Sequence, residues 1–102
     1  MNKIFELLDF LILATQGGTK WKWDDKEKMY TYCGTSEEVT VRIKRWSDIN
    51  MVSLFVGSFY IDSKDFPILK EKLDLLYSEV NYRNGDSRTK LEELIEKVIL
   101  NG

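Results

Sequence analysis

The chain contains no histidine, a single cysteine and a single proline among its 102 residues. Without histidine it lacks the commonest general base, the commonest transition-metal ligand and the usual titrating switch near neutral pH. Cys33 has no second cysteine to pair with, which excludes an internal disulfide framework and a cysteine-based zinc site and points to a reducing cytoplasm. Neither sign of charge dominates: 15 basic and 17 acidic side chains leave a formal net charge of -2. No global field therefore draws the chain to nucleic acid or to an anionic membrane, and any such binding has to come from a local patch. Long apolar runs are missing too. The stretch Phe10-Leu11-Ile12-Leu13-Ala14 stops short of the roughly 7 to 15 residues of a signal peptide or the roughly 20 of a membrane span, and Glu6 and Asp9 interrupt it upstream.

With 43% hydrophobic residues, the chain has the apolar content for one core and the length for one compact domain, 1–102. Between about Thr19 and Ile61 the apolar positions alternate, as in Trp21 and Trp23, Tyr30 and Tyr32, and Val39, Val41 and Ile43. Residues two apart share a face only in an extended chain, so this region reads as consecutive antiparallel strands. Placing a turn over the charged segment Asp24–Lys28 sets Trp23 against Tyr30 and Trp21 against Tyr32. A turn at Thr35-Ser36-Glu37-Glu38 sets Gly34 against Val39, Tyr32 against Val41 and Tyr30 against Ile43. One at Ser47-Asp48-Ile49-Asn50 sets Ile43 against Leu54 and Val41 against Val56. All three turns agree on one inward face carrying Trp21, Trp23, Tyr32, Val41 and Leu54.

Helices flank this meander. The first runs to Gly17-Gly18, a stop signal because glycine accepts the left-handed conformation that terminates helices. Its polar stripe is narrow, with Glu6, Asp9 and Gln16 opposite Ile4, Leu8 and Leu11, so it is expected to be buried on more than one side. Asp65 reads as an N-cap and Pro67 as a first-turn residue of a helix over about Phe66–Tyr82, whose Leu69, Leu73, Leu76 and Val80 recur at spacings of three and four. After Asn84-Gly85, Thr89 and Glu92 have capping-box spacing, and Leu91, Leu94, Ile95, Val98 and Ile99 form the cleanest amphipathic stripe in the chain. The expected fold is α+β: an N-terminal helix, a four-stranded antiparallel meander, and two C-terminal helices packed on one sheet face.

Catalytic chemistry finds little purchase here, and the reading assigns no catalytic residue, cofactor or metal. Asp24-Asp25 and Glu37-Glu38 are paired carboxylates, but they sit in hydrophilic turns beside Lys26 and Lys28 and read as solvated. Cys33, with Lys20 as its cross-strand neighbour, reads as a half-buried inert thiol. Gly17-Gly18 follows a helix rather than feeding one, so it is no phosphate-binding loop. The outer sheet face is less bland. The register turns Lys20, Lys22, Thr31, Cys33, Thr40, Arg42, Lys44, Trp46, Met51, Ser53 and Phe55 outward, and of these Lys20, Lys22, Arg42, Lys44, Trp46, Met51 and Phe55 make up a candidate interaction surface. Trp, Met, Phe and Arg are the types enriched in protein interfaces, while cations interleaved with rings also suit single-stranded nucleic acid.

In its layout the chain resembles small uncharacterised bacterial or phage proteins built as helix, meander, helix, helix. The residues that carry the resemblance are Leu7-Leu8, Thr15, Gly18 and Trp21 early, and Leu73, Leu76-Tyr77 and Arg83 before a short final amphipathic helix. It implies that fold and a bacterial or phage setting, and it brings no catalytic residue. The functional expectation is a non-enzymatic cytoplasmic protein with an accessory or defence-related role, off the membrane, that binds another protein or itself. The alternative is a nucleic-acid or nucleotide binder that uses the outer sheet face.

Overall fold

A computed structural model describes residues 2–34, 38–85 and 87–101, and side chains at 3–34, 38–85 and 94–101. Helix α1 (Asn2–Gln16) ends in a Schellman-type arrangement: Thr19 N–H donates to Ala14 O at 3.0 Å, Gly18 N–H to Thr15 O at 3.1 Å, and Gly18 sits at φ 102°. A side chain at that φ is strained, which is why glycine stands there. The chain then enters an antiparallel meander of β1 (Trp21–Asp24), β2 (Met29–Tyr32), β3 (Val41–Trp46), β4 (Met51–Val56) and β5 (Phe59–Asp62), in sheet order 1-2-3-4-5. A 3₁₀ turn (Pro67–Leu69) leads into α2 (Lys70–Asn84), and α3 (Ser87–Asn101) follows.

The α+β architecture and the strand register agree with the sequence: Trp23 pairs with Tyr30, Trp21 with Tyr32, Tyr30 with Ile43, Ile43 with Leu54 and Val41 with Val56. The sheet has five strands, however, not four. Gly57-Ser58 turns the chain after Val56, with Gly57 at φ 60°, and Phe59–Asp62 returns as an edge strand in which Val56 pairs with Phe59 and Leu54 with Ile61. A two-residue turn opening with glycine between apolar runs is a hairpin signal, and it lies within the stretch already read as extended.

The core lies between one sheet face and two helices. Leu8, Leu11 and Ile12 of α1 and Leu69, Leu73, Leu76 and Val80 from the second helical segment pack against Trp21, Tyr30, Val41, Ile43, Val52 and Leu54. Trp23, placed inside by the alternation, is 39% exposed. The covering helices reach only to the Trp21 end of edge strand β1, so the Trp23 ring has Tyr30 beside it (centroids 4.7 Å) and no helix above it. Asp65 is not the cap of the next helix. The Asp62 carboxylate instead accepts from the main-chain N–H of Lys64 and Asp65, at 2.9 and 2.7 Å, and so shapes the turn that α2 follows. The proposed capping box at Thr89 and Glu92, and the turn residues at 35–37, lie outside the described residues and side chains.

Polar contacts lock this layer at one end. The Trp21 indole N–H donates to Thr15 Oγ1 at 2.9 Å, and that hydroxyl donates in turn to Leu11 O at 2.7 Å. The Trp21 main-chain N–H donates to Asn84 Oδ1 at 3.1 Å, and Tyr30 OH donates to Asn81 Oδ1 at 2.8 Å. Trp21→Ala is expected to destabilise the protein by about 3–5 kcal/mol in urea unfolding. Thr15→Val, which strands the buried indole N–H, is expected to cost about 1–3 kcal/mol. An unchanged midpoint for Trp21→Ala would place that ring outside the core.

Candidate interaction surfaces

The outer sheet face runs across all five strands. Cross-strand pairing puts Arg42 against Phe55, Lys44 against Ser53 and Trp46 against Met51, so Arg42, Lys44 and Trp46 alternate along one face as their spacing requires. With Phe55 they line a groove of about 380 Å³ that Glu27 and Met29 also border. The other candidates lie outside this groove, although the pairing of Lys22 with Thr31 and of Thr31 with Arg42 keeps Lys22 on the same sheet face. Lys22 borders a separate hollow with Trp23, Asp24 and Thr31, and Lys20 lines a cleft near the end of α1 with Thr15, Tyr82 and Arg83. Met51 shares the outer face with Trp46, as its register requires, but is only 7% exposed. Cys33 is exposed rather than half-buried, with its Sγ 3.6 Å from Thr31 O.

The rings of this face are already engaged with one another. The Trp46 indole N–H donates to Ser53 Oγ at 2.7 Å, and Ser53 Oγ and Tyr60 OH share a hydrogen bond of 3.0 Å. Ser53 is fully buried beneath them. The Tyr60 ring meets Phe55 edge-on at 5.1 Å, and the Lys44 ammonium lies 4.0 Å from the Trp46 ring centroid, a cation–π contact that occupies one face of the indole. Tyr60 belongs to β5, which is why a four-strand reading misses the cover it gives to Phe55 and Ser53.

The described turn between β1 and β2 holds its carboxylates in local, solvated contacts. The Asp24 carboxylate accepts from the main-chain N–H of Lys26 and Glu27, and Asp25 pairs with Lys28 at 2.9 Å. That ion pair is solvated, and the lowered Asp25 pKa reflects its hydrogen bonds to Lys28 and Trp23. Among the described residues no three His, Cys, Asp or Glu side chains gather as a metal site, and no helix is long and apolar enough to cross a membrane.

Exposed apolar surface is concentrated elsewhere. Of the apolar stripe of α3, the described side chains Leu94, Ile95, Val98 and Ile99 are between 48 and 73% exposed and do not pack on the sheet, while Leu91 lies outside the described side chains. A cleft of about 330 Å³, with Tyr82, Leu94 and Lys97 in its wall, opens where α3 meets the body. Gly85 makes the departure possible, because a Cβ there would meet Asn81 O at 2.4 Å. Phe10 and Leu13 on α1 and Leu75 and Tyr82 on α2 are also exposed, so the first helix is buried on one side rather than several. A smaller, wholly apolar groove of about 150 Å³ lies between Ile4 and Leu7 of α1 and Phe59 and Ile61 of β5.

Compared with known proteins, the chain matches no family model, no curated protein and no solved structure.

Asp62 offers a test of the β5 turn. Burial acts to raise its pKa, but the N–H donors of Asp65 and Lys64 and the Tyr60 hydroxyl outweigh that and hold it below its ordinary value. A carboxylate with a lowered folded pKa contributes stability that is complete above about pH 4 and is lost as pH falls toward the folded value. Asp62→Asn is expected to flatten the acid side of the stability profile below about pH 4, as measured by urea midpoints across pH. A profile parallel to wild type would show that Asp62 contributes nothing there.

Proposed function

We propose that this chain is a small, non-enzymatic, cytoplasmic interaction protein that works by binding protein, a second copy of itself included. The observation that carries this reading is the exposed apolar stripe of α3, whose described side chains Leu94, Ile95, Val98 and Ile99 are 48 to 73% exposed. A helix of 15 residues is marginal alone, and most helical stability in proteins comes from packing an apolar face, so such a stripe calls for a partner. Contiguous exposed apolar surface of this kind marks contact sites. The bacterial or phage setting rests on the resemblance in layout alone, and the exposed single thiol of Cys33 suits a reducing compartment.

The second reading, a nucleic-acid or nucleotide binder, is favoured by one arrangement: Arg42, Lys44, Trp46 and Phe55 share a single groove, with Lys20 and Lys22 further along the sheet at β1. Against it stand the net charge of -2 and the occupation of Trp46 by Ser53 and Lys44. Fluorescence anisotropy with a labelled single-stranded oligonucleotide separates the two. The protein-binding reading expects no tight binding at physiological salt. The nucleic-acid reading expects binding that the Arg42→Ala, Lys44→Ala double variant weakens across all sequences, with the log-log salt slope falling by roughly one unit for each phosphate that is no longer neutralised. If the groove takes a protein instead, Trp46→Ala is expected to cost more affinity than the double variant, since buried aromatic anchors dominate interfaces and rim charges contribute little.

A further inference from the structure

We propose that α3 of one copy seats along the outward side of α1 and α2 of a second copy, and that the second copy returns the contact, closing a two-fold dimer. The inference rests on the protein-binding reading above and names its partner.

The receiving surface follows from helix geometry. At about 100° per residue, Phe10 and Leu13 lie about 200° and 140° around α1 from the fully buried Leu8, so they point away from the sheet. Leu75 and Tyr82 stand two residues beyond the buried Leu73 and Val80, about 200° around α2, and point the same way. The two helices run parallel: Lys72 pairs with Asp9 and lies near the Phe5 ring toward their N-terminal ends, while Trp21 bridges Thr15 and Asn84 at their C-terminal ends. The outward side is therefore a pair of adjacent helices carrying four large apolar side chains, 46 to 68% exposed.

Size and shape match α3. All three helices are 15 residues long, about 22 Å each, so a third helix laid between α1 and α2 spans their whole length. An aliphatic side chain presents about 100 Å² and an aromatic about 200 Å², which puts the exposed apolar surface on the Leu94, Ile95, Val98 and Ile99 side of α3 at about 250 Å² and that of the receiving side at about 350 Å². In a reciprocal dimer each copy contributes both surfaces, about 600 Å² of apolar area. A standard interface buries about 800 Å² per partner, of which rather more than half is apolar, so the reciprocal contact reaches a stable size. Pairing α3 with α3 alone would supply less than half of that apolar area. A two-fold operator gives both contacts at once and leaves no open surface for further growth.

The test uses the full chain, with analytical ultracentrifugation from low micromolar to several hundred micromolar and circular dichroism to confirm folding. The variants are Ile99→Glu on α3 and Leu13→Glu on the receiving side, both at exposed positions that a monomer tolerates. The wild type is expected to dimerise, and each variant to weaken the dimer at least tenfold. Because Leu13→Glu keeps an intact α3 and Ile99→Glu an intact receiving side, a mixture of the two variants is expected to form a heterodimer tighter than either homodimer. A dimer weakened by Ile99→Glu but indifferent to Leu13→Glu overturns the reciprocal seating and leaves self-association standing. A monomer at every concentration overturns the dimer, and if that monomer also binds single-stranded oligonucleotide through Arg42 and Lys44, the protein-binding reading falls with it.

Discussion

The structure turns on the indole of Trp21. It is a large apolar body buried in the core with one hydrogen-bond donor that must be satisfied there, and Thr15 at the end of α1 supplies the acceptor. Its main-chain N–H is taken by Asn84 at the end of α2. One residue of an edge strand thus fixes the ends of two helices. The Asn84 side-chain amide also donates to Val80 O at 3.1 Å, which holds its oxygen toward the strand. Gly18 belongs to the same construction, because only a tight helix stop lets the chain turn from Thr15 into Trp21 within a few residues.

That lock gives the two sides of the sheet different characters. The inner side is an apolar core in which α1 and α2 lie parallel on the strands. The outer side has no helix over it and covers itself: Trp46 lies over Ser53, Tyr60 leans on Phe55, and Lys44 caps Trp46. Burial of Met29, Met51 and Ser53 on a face without a covering layer follows from those long side chains lying across the strands. A face so occupied has fewer free groups to offer a ligand than its residue types suggest. The helical side is the reverse, since its apolar side chains have nothing to lie against.

Period-two alternation and three polar turns contain enough information to register β1 to β4, because a slip of one residue would send every apolar side chain to the wrong face. The spacing of Leu69, Leu73, Leu76 and Val80 likewise identifies a buried helix face. Local pattern does not carry the length of a covering layer, and so Trp23, with the right parity for the core, ends up beyond the reach of the helices. Asp65 has the chemistry of a cap, but Asp62 competes for the same turn and takes the N–H donors, a choice set by how β5 leaves the sheet.

The amphipathic stripe of α3 is equally clear in the sequence, yet periodicity states only that one side of a helix wants burial and does not say against what. The position of Gly85, backed by Asn81 O, sends α3 away from the sheet that α2 covers. The sequence by itself therefore determined the three helices, the first four strands and which way each of those strands faces, but not the fifth strand, and it determined that no histidine or cysteine-pair chemistry is available. Tertiary structure alone decided which apolar faces meet each other and which stay in water, because that depends on where elements distant in the chain come to rest.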